Sequence, residues 1–268
     1  VIGAALDSGI NFLDTADMYD TGKSEEFMAA PLRARRGEIV LATKFGFSMG
    51  EGKSGASPAY VRQALDASLL RLGVDYIDLY QLHTPDPATP IADTLGALKD
   101  LVKAGKIREI GCSNFSADQL REAGGGFASV QNEYSLFHRA PEADVLPECK
   151  KLGIAFIPYF PLANGLLTGK YRKGQPLPEN SRGKDAFGPT VFTDRNLDVV
   201  ESLLRFAALH GHSLLELAVS WLAAQDTVAS VIAGARTPEQ AKMNAGAAGW
   251  KLTKPELAEV DEIVLQAA

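Results

Sequence analysis

Four apolar stretches of this sequence each run into a residue able to do chemistry. Leu13 leads into Asp14 and, five residues on, Tyr19; Ile39 to Thr43 ends on Lys44; Tyr76 to Leu82 ends on His83; Ile107 to Cys112 ends on Ser113 and Asn114. Parallel strands joined by helices present their C-terminal ends on one face, so an acid, a phenol, an ammonium, an imidazole and an amide converge there. The chemistry of such a set is proton delivery. A phenol near pKa 10 is a poor donor at neutral pH until an adjacent ammonium favours its phenolate, and an acid paired with that ammonium keeps it charged and oriented. Taken singly, a strand-end Asp caps helices, and a lone Tyr or Lys is usually a packing residue with a wet tip.

The elements that must position these residues alternate. A helix over Val1 to Asp7 precedes the first strand, and Ser24 to Ala34 reads as a helix opened by a serine cap. Ser57 and Pro58 cap a helix to Leu72 with Val61, Ala64, Leu65, Leu69 and Leu72 on one stripe, and Gly73 ends it. Pro90 opens a helix through Ala104, and Ser116 to Ala123 forms another. Phe127 to Gln131 is a strand, Pro141 to Leu152 a helix, and Ile154 to Tyr159 a continuous apolar strand of the kind buried on both faces. Phe160 to Thr193 is a long segment rich in Gly, Pro, Lys and Arg, a length at which loops are functional or disordered. Helices over Asp194 to His210 and Ser213 to Gln225, a strand over Thr227 to Ala233, and helices from Pro238 to about Ala247 and from Thr253 onward complete the pattern.

This alternation predicts an α/β fold, a (β/α)8 TIM barrel forming one domain over residues 1–268. Seven strands are counted rather than eight, and Val1 stands in mid-helix without an initiator Met or a cap. The expectation is therefore a barrel lacking its N-terminal hairpin and first strand. A doubly wound nucleotide fold is disfavoured: no G-x-G-x-x-G follows the first strand, and Gly124 to Gly126 lies between a helix and a strand, the wrong order for cradling a pyrophosphate.

Composition narrows the classes. The 268 residues are 46% apolar and 22% charged with a formal net charge of −6, which argues against a broad nucleic-acid or anionic-membrane surface and leaves room for a local basic pocket. No apolar run approaches the roughly 20 residues of a membrane span, and no signal peptide opens the chain, so a cytoplasmic protein is expected. Cys112 and Cys149 lack metal-ligand spacing and read as reduced thiols, and His210 and His212 lack acidic or cysteine partners. No metal is expected.

The ordered stretches Leu13-Asp14-Thr15-Ala16 to Tyr19, Ala42 to Gly46, Leu82-His83, Gly111 to Phe115, Val130 to Tyr134, Gly165 to Tyr171 and Gly234 to Gln240 resemble the aldo-keto reductase family over nearly the whole chain. The resemblance implies a barrel that reduces carbonyls with a nicotinamide cofactor, usually NADPH, and no metal. It implies a catalytic set of Asp14, Tyr19, Lys44 and His83, with His83 either holding the carbonyl oxygen or sharing in proton relay. Ser113, Asn114 and Gln131 would meet the nicotinamide carboxamide, and Tyr159 would stack on its ring. Pro161, Leu162, Gly165, Leu167 and Lys170 would line the pyrophosphate, and Gly234, Arg236, Gln240 and Asn244 the 2′-phosphate and adenine. Phe160 departs from the pattern where a serine commonly follows the stacking aromatic, and Ala233 where a proline is common.

The expected partner is a small-molecule carbonyl substrate, with neither nucleic acid nor membrane, and the protein a monomer or weak homo-oligomer. Loops over Phe45 to Ser57, His138 to Ala140 and Pro178 to Thr193 would form the substrate pocket, with Phe47, Phe187 and Phe192 giving an apolar lining. Two other readings stay open at this point. One is a cofactor-binding regulatory subunit on the same barrel, as in the potassium-channel β subunits of the family; the other is an inactive fragment of a reductase.

Overall fold

A computed structural model describes residues 1–176 and 188–265. Phe187 and the loop from Pro178 to Phe187 lie outside the described residues. By internal packing the chain divides into two compact units. A sheet unit comprises residues 2–132 and 142–157, and a helical unit comprises 133–141 and the residues from Pro158 onward.

Six strands form one sheet: β1 (Phe12–Asp14), β2 (Val40–Phe45), β3 (Ile77–Leu82), β4 (Ile107–Ser113), β5 (Ser129–Glu133) and β6 (Ala155–Tyr159). Their order in space is their order in sequence, and the ladders from β1 to β5 are parallel. Helices α1 (Ile2–Asp7), α2 (Lys23–Arg35), α3 (Pro58–Leu72), α4 (Ile91–Lys103), α5 (Ala117–Ala123) and α6 (Val145–Leu152) alternate with them. Every residue of β3 is buried, as a parallel strand covered on both faces requires. Local signals set the helix ends. Ser57 accepts from the Tyr60 amide with Pro58 next in line, Gly73 turns left-handed at φ 64, and Ser116 and Gln119 form a reciprocal capping box.

The helical unit contains α7 (Gly188–Val191), α8 (Asp194–Leu209), α9 (Leu214–Ala223), α10 (Pro238–Gly246) and α11 (Lys254–Leu265). Ser213 with Glu216 repeats the capping box at α9, and Thr237 caps α10 ahead of Pro238.

Three expectations are corrected. The predicted strand over Thr227 to Ala233 is not one: Val228 alone makes an isolated bridge, the segment belongs to no ladder of the sheet, and Val228, Val231 and Ile232 are only half-buried. A β-branched run reports fitness for a pleated surface, whereas a strand also needs a neighbour to pair with. The helix expected from Pro141 begins instead at Val145, after a tight 3-10 turn at Ala140–Glu142. A start at Pro141 would put Pro147 in a helix interior, where its ring clashes with the preceding turn; starting at Val145 leaves it in the first turn, where no amide is needed. Finally, α2 has no serine cap. Its cap position is Gly22, and Ser24 instead shares a hydrogen bond with the Thr15 hydroxyl at 2.8 Å.

Candidate active site

Ladder register lines up the chemistry. Lys44 stands beside Gln81, Gln81 beside Gly111, and Ser113 beside Gln131, while Asp14 closes β1. Lys44 is fully buried. Its ammonium donates to Asp14 Oδ1, to the Thr15 carbonyl at 2.8 Å and to Tyr19 Oη at 3.5 Å. The other carboxylate oxygen, Oδ2, accepts from Gln81 Nε2 at 3.1 Å and Gln131 Nε2 at 3.0 Å. A buried ion pair is tolerable only when the remaining lone pairs and protons are also satisfied, and here all three ammonium protons have an acceptor.

Tyr19 opens a short 3-10 turn (Tyr19–Gly22) in which Asp20 (φ 48) and Thr21 (φ 53) are both left-handed. Gly22 continues in that region at φ 93, a conformation that favours glycine, and a Cβ there would also press on the Arg71 side chain, 2.8 Å from its Cδ. Tyr19 is 40% exposed, and its phenol oxygen lies 3.5 Å from the buried Lys44 ammonium. Its ring lies edge-on to His83 at 5.7 Å, and Phe47 packs edge-on to the same imidazole at 4.6 Å.

His83 is buried, and burial, helped by the Lys44 charge, pushes its pKa down to about 3. The imidazole is therefore neutral near pH 7, with one N–H to donate. A neutral ring of this kind can hold an oxygen by hydrogen bond.

Ser113 and Asn114 follow on the same face. Ser113 donates its hydroxyl to the Gln131 carbonyl at 2.7 Å, and Asn114, left-handed at φ 63, donates its amide to the His83 carbonyl at 3.0 Å. Gln131 also spends an amide proton on Asp14 Oδ2, so it is joined to the acid. The sheet unit thus brings Asp14, Tyr19, Lys44, His83, Ser113, Asn114 and Gln131 together.

Tyr159 ends β6 and packs edge-on to Phe160 at 5.1 Å; Phe160 is itself left-handed at φ 52. Pro161 and Leu167 are buried, and Leu162 packs on the cluster of Leu215, Val219 and Ala247, so any ligand contact from Leu167 would come from its backbone. A Cβ on Gly165 would lie 3.9 Å from Lys170 Nζ, which places the ammonium beside the 3-10 turn at Ala163–Thr168. Arg236 is exposed just ahead of α10, and no partner of its guanidinium is found among the described residues. Gln240 uses its side-chain oxygen on the Arg236 amide at 2.8 Å, which leaves its NH2 group; Asn244 is half-buried one turn further on, and Gly234 is exposed. Phe192 packs on Tyr171 at 4.4 Å.

Two polar residues escaped the sequence reading. Gln81 lies at the centre of the charge network, and its signal was available: an amide inside an otherwise apolar buried strand must have a partner. Asp17 is 1% exposed, and its Oδ1 has no partner among the described residues. Burial, with Glu25 nearby, pushes its pKa up to about 7. Among the described residues no group of three or more potential metal ligands occurs, and no helix is long and apolar enough to cross a membrane.

Comparison with known proteins agrees with this geometry. The pattern of the aldo/keto reductase family matches residues 1–265. Aldo-keto reductase yakc [NADP(+)] of Schizosaccharomyces pombe is 37% identical over 276 residues, covering 98% of this chain and 81% of the relative. Aldo-keto reductase YhdN of Bacillus subtilis is 35% identical over 271 residues, covering 98% and 82%. The solved structure of the glycerol dehydrogenase AKR11B4 from Gluconobacter oxydans superposes with a TM-score of 0.87 at 36% identity, over 99% of this chain and 84% of that one. A parallel β/α sheet that carries an acid, a lysine and a histidine at its strand ends, with a tyrosine beside them, over a length matched almost end to end, places this chain in the aldo/keto reductase family.

Proposed function

We propose that the protein reduces an aldehyde or ketone to an alcohol with NADPH, Tyr19 acting as the general acid. The observation that carries this reading is the buried Lys44 ammonium, held by Asp14 and 3.5 Å from the Tyr19 oxygen. When Tyr19 gives its proton to the carbonyl oxygen, the phenolate left behind faces a fixed cation in a site of low dielectric. Neutral His83 donates a hydrogen bond to the same oxygen and orients the carbonyl, and Phe47 supplies an apolar wall beside it.

NADPH, when bound, supplies the hydride. The residues present fit it: Asn114, Ser113 and Gln131 lie in the sheet unit with the proton donor, and in the helical unit Lys170 beside Gly165 and the Arg236 guanidinium, which has no partner among the described residues, are cations suited to phosphate groups. The choice of NADP rests further on the Schizosaccharomyces pombe relative, whose name carries that cofactor. The Gluconobacter neighbour, a glycerol dehydrogenase, favours small polyol-derived carbonyls among the substrates to be tried.

The test is NADPH consumption by the purified chain against a panel of aliphatic, aromatic and polyol-derived aldehydes and ketones, with cofactor binding measured in parallel. Carbonyl-dependent oxidation of NADPH is expected. Tight cofactor binding without turnover across the panel would favour a regulatory subunit instead.

A further inference from the structure

Resting on the reductase reading above, we propose that Gln81 is a positioning residue: its side-chain amide fixes the Asp14 carboxylate so that the Lys44 ammonium stays aimed at Tyr19. Lys44 occupies Asp14 Oδ1, and that bond alone would leave the carboxylate free to rotate about its own axis. Gln81 and Gln131 both donate to Oδ2, from β3 and β5, and so hold the plane of the carboxylate from two directions.

The neighbourhood of Gln81 is shaped for this bond. Its ladder partner on β4 is Gly111, where a Cβ would stand 2.9 Å from Gln81 Cγ and 2.8 Å from Ser129 Oγ. Packing alone does not account for an amide here. Gln81 is fully buried and its Oε1 has no partner among the described residues, an arrangement that destabilises relative to an apolar residue of the same shape. A methionine would fill the volume without an orphaned oxygen, but it would donate nothing to Asp14.

The decisive variant is Gln81→Met, compared with the unaltered chain. We expect kcat to fall about tenfold, the scale of one hydrogen bond to a charged group, with KM and NADPH affinity changed less than about twofold. Unchanged kcat would overturn the proposal, and so would an equal loss in kcat and in NADPH affinity. If Gln81→Met does not fold, the side-chain amide protons of Gln81 in the selectively 15N-labelled unaltered chain decide the matter. They should exchange slowly and lose that protection in Asp14→Ala; protection that survives in Asp14→Ala would overturn the assignment. Absence of carbonyl reduction by the unaltered chain would sink the reductase reading, while the amide measurement would still judge the bond.

Discussion

Gln131 and Asp14, 117 positions apart in the chain, are joined by a 3.0 Å hydrogen bond from Nε2 to Oδ2. The bond links β5 to β1, so the acid at the end of one strand is set by an amide four strands away. The proton-handling residues are therefore held by side chains from β1, β2, β3 and β5 rather than by one loop, and each change below is read against that network.

Replacing Tyr19 with phenylalanine should abolish most carbonyl reduction and leave NADPH binding and stability in place. Tyr19 is partly exposed, and phenylalanine keeps its ring contacts and loses only the 3.5 Å bond from Lys44 Nζ. Loss of a general acid typically costs about 10²- to 10⁴-fold in rate. Steady-state kinetics with a cofactor titration checks this, and wild-type turnover would remove Tyr19 from the mechanism.

Lys44→Met should damage both activity and the fold. It removes the cation beside Tyr19 and leaves Asp14 buried without its counter-ion, an error that costs about 3–5 kcal/mol when one member of a buried pair is deleted. Denaturant unfolding should show that loss. A variant as stable as the parent would mean that water reaches Asp14 freely.

Asp17 gives a pH test. Its native pKa, near 7, lies above the usual carboxylate value, so between about 4 and 7 the folded chain holds a proton that the unfolded chain releases. The stability linked to that proton is complete below about pH 4 and is lost as pH rises through 7. Asp17→Asn should therefore melt higher than the parent at pH 8, by on the order of 2 kcal/mol, with the difference closing toward pH 4. Melting curves across that range decide it, and a constant difference would assign the effect to packing.

Arg236→Ala should weaken NADPH by roughly 10- to 100-fold, the worth of a charge-assisted hydrogen bond, and leave NADH nearly unchanged. Fluorescence titration of both cofactors separates the outcomes. Equal losses would show that Arg236 supports α10 rather than discriminates between cofactors.

Asp14, Lys44 and His83 were legible because each ends an apolar run, and the end of a parallel strand has a known place in space. Ser57, Gly73 and Ser116 were legible because capping is a local matter of a few residues. Pairing is not local, and Thr227 to Ala233 shows it: the residue types suit a strand, but the partner that makes a strand lies elsewhere in the chain. Pro147 marks a start for α6 that helical periodicity alone would pass over. Gln81 was hidden inside a strand read as core, and its bond to Asp14 spans 67 positions. The left-handed Asp20 and Thr21 could not be foreseen, since threonine carries no preference for that conformation.

That turn sets two demands against each other. Asp20 and Thr21 each hold a conformation that side chains with a Cβ adopt at a cost of about 1–2 kcal/mol, immediately after the residue that presents the phenol. Glycine at Thr21 would relieve that strain in the folded chain, but it would also widen the set of directions in which Tyr19 can point. Stability and the aim of the phenol therefore place opposite demands on the residue at this position, where threonine is found.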